Sequence, residues 1–467
     1  MGSFDLAVIG NGIIGSLAAL TLAEKNPDEK IALFGPSDRN ISASTAAGAM
    51  LNVYGEIDYD YGDKAYINEK IDMGNRAVLK WEQFIKKNKL DSIVCAEDTI
   101  IFKPKNTTVL EDMCFDAIFK KTSNDLKLCD PKELLAVANY FTKMGYDYDF
   151  FGIKGEKAID IKRFFIWIDK KISKTNNLNV FNFGSCYLDK NNKSSEKFIV
   201  TPDNQKYRSK RFLVCSGTSN DFVLKKIGGC LQSFHGVGTA LVVNNDQDFF
   251  ENVPEGYVFR TPNRGGTCGL HVVPRNKSKN SSYYIGAGSN ISIDWPSGPR
   301  FGTIEYLINS FLKSLKSIDG SLSKSQINII MGSRPVSLDG KPIIGPLNDH
   351  PDTFVLGGTK RDGLTLVFEL LAEVDNWLND KALYYSKFAP NRSPISFHNP
   401  DFAKEVYIQN KLTGLLEHNT TNGKTEENLI LDLAAEAELF YSKIYKIWPE
   451  LKDKGIHPEL LNVIHNV

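Results

Sequence analysis

The chain has 467 residues, of which 42% are hydrophobic, enough for a large core shared among two or three domains. Lys plus Arg equals Asp plus Glu at 56 each, so the net charge is zero and no electrostatic footprint for nucleic acid is present. The seven cysteines stand singly with no CxxC, which argues for free thiols in a reducing compartment and against a metal site. The chain enters its first strand directly, leaving no room for a signal peptide. It has no apolar run of about 18 residues and no common C-terminal address, so no membrane span and a cytoplasmic protein are expected.

Asp5 to Ile9 reads as a short buried strand. Gly10-Asn11-Gly12-Ile13-Ile14-Gly15 follows at once, and Ile13 to Ala23 continues as an apolar helix. Strand, glycine turn and helix form the context in which GxGxxG carries meaning. Gly10 permits the tight turn, Gly12 lets the backbone approach a pyrophosphate, and Gly15 lets helix and strand pack closely. The helix N-terminus then offers N–H groups and a positive dipole end to phosphates. The second strand, Ile31 to Phe34, should end roughly 20 residues on in an acid for the ribose hydroxyls. Gly35 stands there instead, followed by Pro36, Ser37 and Asp38. Either Ser37 or Asp38 takes over from the loop, or backbone and water hold the ribose.

Asn40 to Met50 is rich in small residues and hydroxyls, suited to lie close to a flat cofactor. Tyr66 to Lys87 has helical spacing, Asp91 to Phe102 reads as strands, Asn106 to Tyr140 is mostly helical, and Tyr146 to Phe151 reads as a strand. Asp160 is placed to cap a helix from Ile161 to Ser173. A strand from Val180 to Gly184 and a hairpin ending at Val200 follow. Arg211 to Val214 is a buried strand that runs through Cys215 into the turn Ser216-Gly217-Thr218, where ligands lie in a doubly wound sheet. Cys215 reads as a core residue. Val237–Val243, Tyr257–Thr261, Thr267–Val273 and Ser282–Gly288 look like one antiparallel sheet. A helix, Phe301 to Leu315, and a strand, Ile327 to Met331, lead to GSRPVSLDGKPIIGP, residues 332–346. The strand Thr353 to Leu356 leads to GGTKRDG, residues 357–363, and to a helix from Leu364 to Leu378 that is apolar nearly all round and should be deeply buried.

Four of these stretches, in this order, resemble the D-amino-acid oxidase superfamily of flavoproteins, most closely its glycine oxidase and sarcosine oxidase branch. They are the glycine turn, the small-residue segment through Gly48, the 332–346 stretch and GGTKRDGLTL. The resemblance covers residues 1–380 in patches and implies an α/β protein. A discontinuous Rossmann-like FAD-binding domain (1–90, 152–230 and 327–380) would be joined by a mostly antiparallel β-sheet substrate domain (91–151 and 231–326). Residues 381–467 would form a helical C-terminal extension. The implied cofactor contacts are Gly10, Gly12, Ile13, Ile14 and Gly15 on the pyrophosphate, with Ser37 from the ribose loop. Ser44, Thr45, Ala47, Gly48 and Met50 would run beside the flavin, and Ser216 and Gly217 would line the adenosine side. Gly358, Asp362, Gly363, Leu364 and Thr365 would reach the pyrimidine edge, where a buried helix start would favour negative charge on the flavin.

Arg334 matches the arginine that binds a substrate carboxylate in amino-acid-oxidising members, a task suited to a guanidinium fork. Arg361 matches a second arginine at the substrate end, and His271 falls where glycine oxidases carry a substrate-facing tyrosine. The implied reaction is oxidation of the C–N bond of a small amine or amino acid by hydride transfer to flavin N5. The imine then hydrolyses, with oxygen as the expected acceptor. Two other classes fit the same residues: a tailoring oxidase or dehydrogenase for larger or carrier-bound substrates, and a non-catalytic partner protein that keeps the fold.

The chain departs from the family in four places. The acid at Gly35 is missing. Tyr283-Tyr284-Ile285-Gly286 lacks the lysine of sarcosine oxidases, which leaves the acceptor open. Gly332 and Ser333 replace the region of a flavin-linked cysteine, so the FAD should be non-covalent. The last stretch exceeds the usual family end, and its Glu426 to Leu451 segment has helical spacing. Such a helix needs an apolar surface: the protein's own body, ranked first, a second subunit, or another protein.

Overall fold

The computed structural model describes residues 3–40, 42–57, 64–105, 107–143, 145, 147–191, 196–229, 231, 233–244, 253–263, 268–276, 282–292, 294, 295, 297–314, 326–392, 399–417, 423–447, 449 and 452. Three strands form the centre of the first sheet. Ser3–Ile9 pairs in parallel with Ile31–Gly35 on one side and Lys206–Val214 on the other. Leu178–Asn182 and His350–Gly357 extend the parallel core at its two edges, and Ile343–Leu347 closes one edge antiparallel. Strands buried on both faces need cover on both sides. Here Ile13–Lys25, Ile161–Ile172, Val367–Leu378 and Lys64–Asn88 share one apolar cluster on one face, and the strands Tyr187–Lys190 and Lys197–Val200 with the short helix Asn220–Leu224 cover the other. Asp160 caps its helix as expected, accepting from Arg163 N at 3.0 Å.

The second sheet has seven strands in the order Gln326–Val336, Phe234–Asn244, Tyr283–Ser292, His271–Pro274, Tyr257–Arg260, Asp98–Pro104 and Tyr148–Ile153. All its pairs are antiparallel except Tyr257–Arg260 with Asp98–Pro104. The strand expected at Ile327–Met331 runs on to Val336, because each residue from Gln326 has a cross-strand partner on Phe234–Asn244. Arg334 therefore sits within a strand of this sheet, and the boundary expected at residue 327 falls inside the antiparallel layer. The strand expected from Thr267 begins at His271; residues 264–267 lie outside the described residues. A bridge between Ser42 and Ser333 ties the small-residue loop to this sheet.

The last helix of the first layer starts at Val367, three residues later than its pattern suggested. Successive turns occupy residues 360–366, with Leu366 N donating to Asp362 O at 2.8 Å. The helix is buried, but two acids are buried with it. Glu369 accepts from the Tyr385 hydroxyl at 2.8 Å, and Glu373 accepts from Tyr385 N at 3.1 Å. The C-terminal region forms the helices Pro400–Glu417 and Glu426–Ile447. Phe440, Tyr441 and Ile444 pack with Tyr407 onto Phe234, Ile291, Val336 and Leu338, so the extension covers the protein's own second sheet. Trp448 and Leu451, expected to continue that helix, lie outside the described residues.

Candidate active site

The turn after the first strand is held by Gly10 N donating to Phe34 O at 2.8 Å. Gly10 has φ +111°, and a Cβ there would lie 2.5 Å from Cys215 O, so a side chain is excluded by conformation and by space. At Gly15 an added Cβ would come within 1.7 Å of Gly10 O. Gly15 is thus the point where helix and turn touch, and it lies outside the cavity lining. Gly12 caps the helix without a side-chain acceptor, no acid occupies the first helical turn, and Ile13 N donates to Ser44 Oγ at 3.0 Å. An acid-free helix N-terminus closed by glycines fits a pyrophosphate.

From this turn a cavity of about 360 Å³ runs between the two sheets. It brings together Gly10, Gly12, Ile13, Ile14, Ser44, Ala47, Gly48, Met50, Ser216, Gly217, Gly363, Leu364 and Thr365 with His271, Arg334 and Arg361. Five expected residues do not line it. Besides Gly15, Ser37 is exposed while its neighbour Asp38 lines the cavity. The Thr45 hydroxyl is turned into its own loop, donating to Arg39 O at 2.5 Å. Gly358 packs where a Cβ would lie 2.8 Å from Lys341 O. Asp362 pairs with Lys70 Nζ at 3.1 Å.

The far end is built from charge. Glu56, buried and unmarked by any sequence motif, lies 2.8 Å from Arg260 Nη1. Its Oε2 lies 3.2 Å from Arg361 Nε, an ion-pair contact without hydrogen-bond alignment. Burial alone would raise the Glu56 carboxyl, but Arg361 and Arg260 outweigh it and hold the group below the usual carboxylate range. Arg361 Nη1 also donates to Cys268 Sγ at 2.9 Å and Asn263 Oδ1 at 3.2 Å. Arg334 is aimed by its own sheet: Nε donates to Gly236 O at 3.0 Å, and Nη1 lies 3.6 Å from the same Cys268 Sγ.

His271 pairs directly across from Arg260 in the antiparallel ladder. Burial, with Arg260 next, pushes its imidazole well below the ordinary value, so it is neutral at pH 7. Asn52 Oδ1, Arg260 Nε, Asn263 Nδ2 and His271 Nδ1 are buried without a hydrogen-bond partner among the described residues. Of these, Asn52 and His271 line the cavity, and orphaned groups there are suited to a polar ligand or ordered water. Tyr284 also lines this end, and burial pushes its phenol up to about 12, so it remains a donor.

Sequence reasoning missed Glu56, Arg260, Asn263 and Cys268. The available signal was a charged residue interrupting an apolar strand, as Arg260 does after Tyr257-Val258-Phe259, or an acid between Tyr54 and Ile57. Among the described residues no group of acids, histidines and cysteines could hold a metal ion, and no helix is long and apolar enough to cross a membrane.

A family model described as FAD dependent oxidoreductase matches residues 5–370. Among solved structures, glycine oxidase from Geobacillus kaustophilus is similar with a TM-score of 0.66 at 17% identity, covering 84% of this chain and 100% of that one. Iminodiacetate oxidase from Chelativorans sp. BNC1 gives 0.65 at 14%, covering 82% and 98%. L-proline dehydrogenase from P. horikoshii gives 0.61 at 13%, covering 84% and 97%. At these identities the likeness is one of fold. No curated protein sequence matches.

Proposed function

The chain belongs to the FAD-dependent oxidoreductase family, and from that premise we propose that it oxidises the C–N bond of a small amine or amino acid. The observation that carries this reading is the convergence of Arg334 and Arg361 on one end of a cavity whose other end is the glycine turn. Gly10, Gly12 and the first turn of the following helix would hold the pyrophosphate of FAD, and Ser44, Ala47, Gly48 and Met50 would lie along the flavin. FAD supplies the two-electron acceptor.

Arg334 presents a guanidinium fixed by main-chain carbonyls, the geometry that holds a carboxylate with two parallel bonds. Arg361 shares its charge with Glu56, so it shapes and neutralises the site more than it anchors substrate. His271, neutral and weakly basic, accepts a hydrogen bond from the substrate amine and orients it; it is too poor a base to be the obligatory proton acceptor. The work of these residues is orientation in a water-poor, preorganised pocket. Oxygen as acceptor and a non-covalently held FAD complete the proposal.

The test is an anaerobic screen of small amines and amino acids that follows bleaching of the flavin absorbance. Bleaching by a carboxylate-bearing amine, then recovery with peroxide on admitting air, is the expected result. A yellow protein that no amine or amino acid bleaches would sink the substrate class. Yellow colour retained in an acid precipitate would sink the non-covalent linkage.

A further inference from the structure

Gly35 ends the second strand of the parallel sheet, where a dinucleotide site ordinarily presents an acid to the adenosine ribose. The structure gives a steric reason for its absence. A Cβ on Gly35 would lie 2.3 Å from Asn11 Cγ, 2.5 Å from its Oδ1 and 2.7 Å from its Cβ. Asn11, the second residue of the glycine turn, fills the volume in which a side chain at position 35 would begin. Its amide is oriented by Nδ2, which donates to Pro36 O at 2.7 Å. That leaves Oδ1 as an acceptor, and among the described residues it accepts no hydrogen bond. Asn11 also lines the cavity.

Two neighbours compete for the role, Arg39 with its guanidinium committed and Asp38 with one of its two oxygens committed. The Arg39 guanidinium is held by the two Asp169 oxygens at 2.8 and 2.9 Å. Asp38 is exposed, and its Oδ1 accepts from Asn40 N at 2.8 Å. An amide oxygen accepts from a ribose O–H as a carboxylate does, with a weaker bond. The geometry points to Asn11 as the residue that holds the adenosine ribose of FAD in this chain, taking over from the acid that position 35 cannot carry. Positions 11 and 35 then share one volume, and a side chain on one requires a small residue on the other.

The test uses the full-length protein freed of flavin, titrated calorimetrically with ADP and with 2′,3′-dideoxy-ADP. The wild type should prefer ADP by about fivefold, the size of one net hydrogen bond. Asn11→Gly should bring that ratio close to one while still binding both nucleotides through the pyrophosphate. A merely structural asparagine would weaken both nucleotides alike and leave the ratio unchanged. Gly35→Glu alone should lose ADP binding by collision with Asn11, and the pair Asn11→Gly with Gly35→Glu should restore both binding and the preference for ADP. Equal binding of the two nucleotides by the wild type overturns the assignment. So does a ratio that survives Asn11→Gly, or one that collapses in Asp38→Ala instead. A double variant no better than Gly35→Glu overturns the shared volume.

Discussion

At one end of the cavity the chain offers backbone; at the other it offers charge. The glycine turn is made within Gly10 to Gly15, and its first helical turn carries no acid. The charged end draws Glu56, Arg260, Asn263, Cys268, His271, Arg334 and Arg361 from separate segments. The first end works by absence of side chains, so its fragility is steric. The second works by mutual compensation among buried groups, so its fragility is electrostatic. An anion that meets backbone N–H groups needs no counter-charge in the protein, whereas the buried Arg260 and Arg361 need the Glu56 carboxylate that they share.

The largest effect is expected where space is tightest. Gly15→Ala places a methyl group 1.7 Å from Gly10 O, so the turn must open. The variant should lose FAD and about 3 kcal/mol or more of stability, measured by denaturant melts with flavin release. A variant that keeps its flavin would show that the turn tolerates separation from the helix.

Glu56→Ala comes next, because it leaves Arg260 and Arg361 without their shared carboxylate. About 3–5 kcal/mol should be lost, as for other broken buried pairs. Chemical denaturation checks it, and a variant as stable as wild type would mean that ligand or water compensates the arginines.

Arg334→Ala separates binding from folding. A loss of about 2–4 kcal/mol in kcat/KM is expected with little change in Tm, and Arg334→Lys should already be impaired because the fork is lost. Normal kcat/KM for an amino-acid substrate in the alanine variant would remove Arg334 from the substrate end.

A smaller effect concerns Glu156, which supports the segment carrying Glu56 by accepting from Val53 N at 2.7 Å and Gly55 N at 3.1 Å. Burial pushes its carboxyl up to about 7 in spite of those donors. Between about 4.5 and 7 the folded chain keeps a proton that the unfolded chain has released. Stability from this group is therefore greatest below pH 4.5 and falls as pH rises to 7, by at most about 1.4 kcal/mol per pH unit. Glu156→Gln should flatten that slope in melts taken across the window. An unchanged slope would place the titration elsewhere.

The smallest effect serves as a control on both ends. Ile444→Val trims the extension where it packs under Val336 and should cost about 1 kcal/mol without altering flavin content or kcat/KM. A change in kcat/KM would show that the extension positions Arg334, two residues from Val336 on the same strand.

What the sequence alone determined is what local pattern encodes. The strand–turn–helix from Ser3 to Lys25, the Asp160 cap, the buried parallel strands and the amphipathic helix from Glu426 all follow from periodicity and capping chemistry among near neighbours. Arg334, Arg361 and His271 were legible only through resemblance. The tertiary structure decided where they meet. It did so through sheet register, which sets His271 opposite Arg260 and Gly236 opposite Arg334. It also decided that Glu56 is the counter-charge, that Gly15 stays out of the cavity lining, and that Asn11 occupies the place of an acid at position 35. Periodicity marks which side of an element is buried, but not which buried group on another strand it will face. That pairing is fixed by packing and by the cost of leaving a buried charge unmatched.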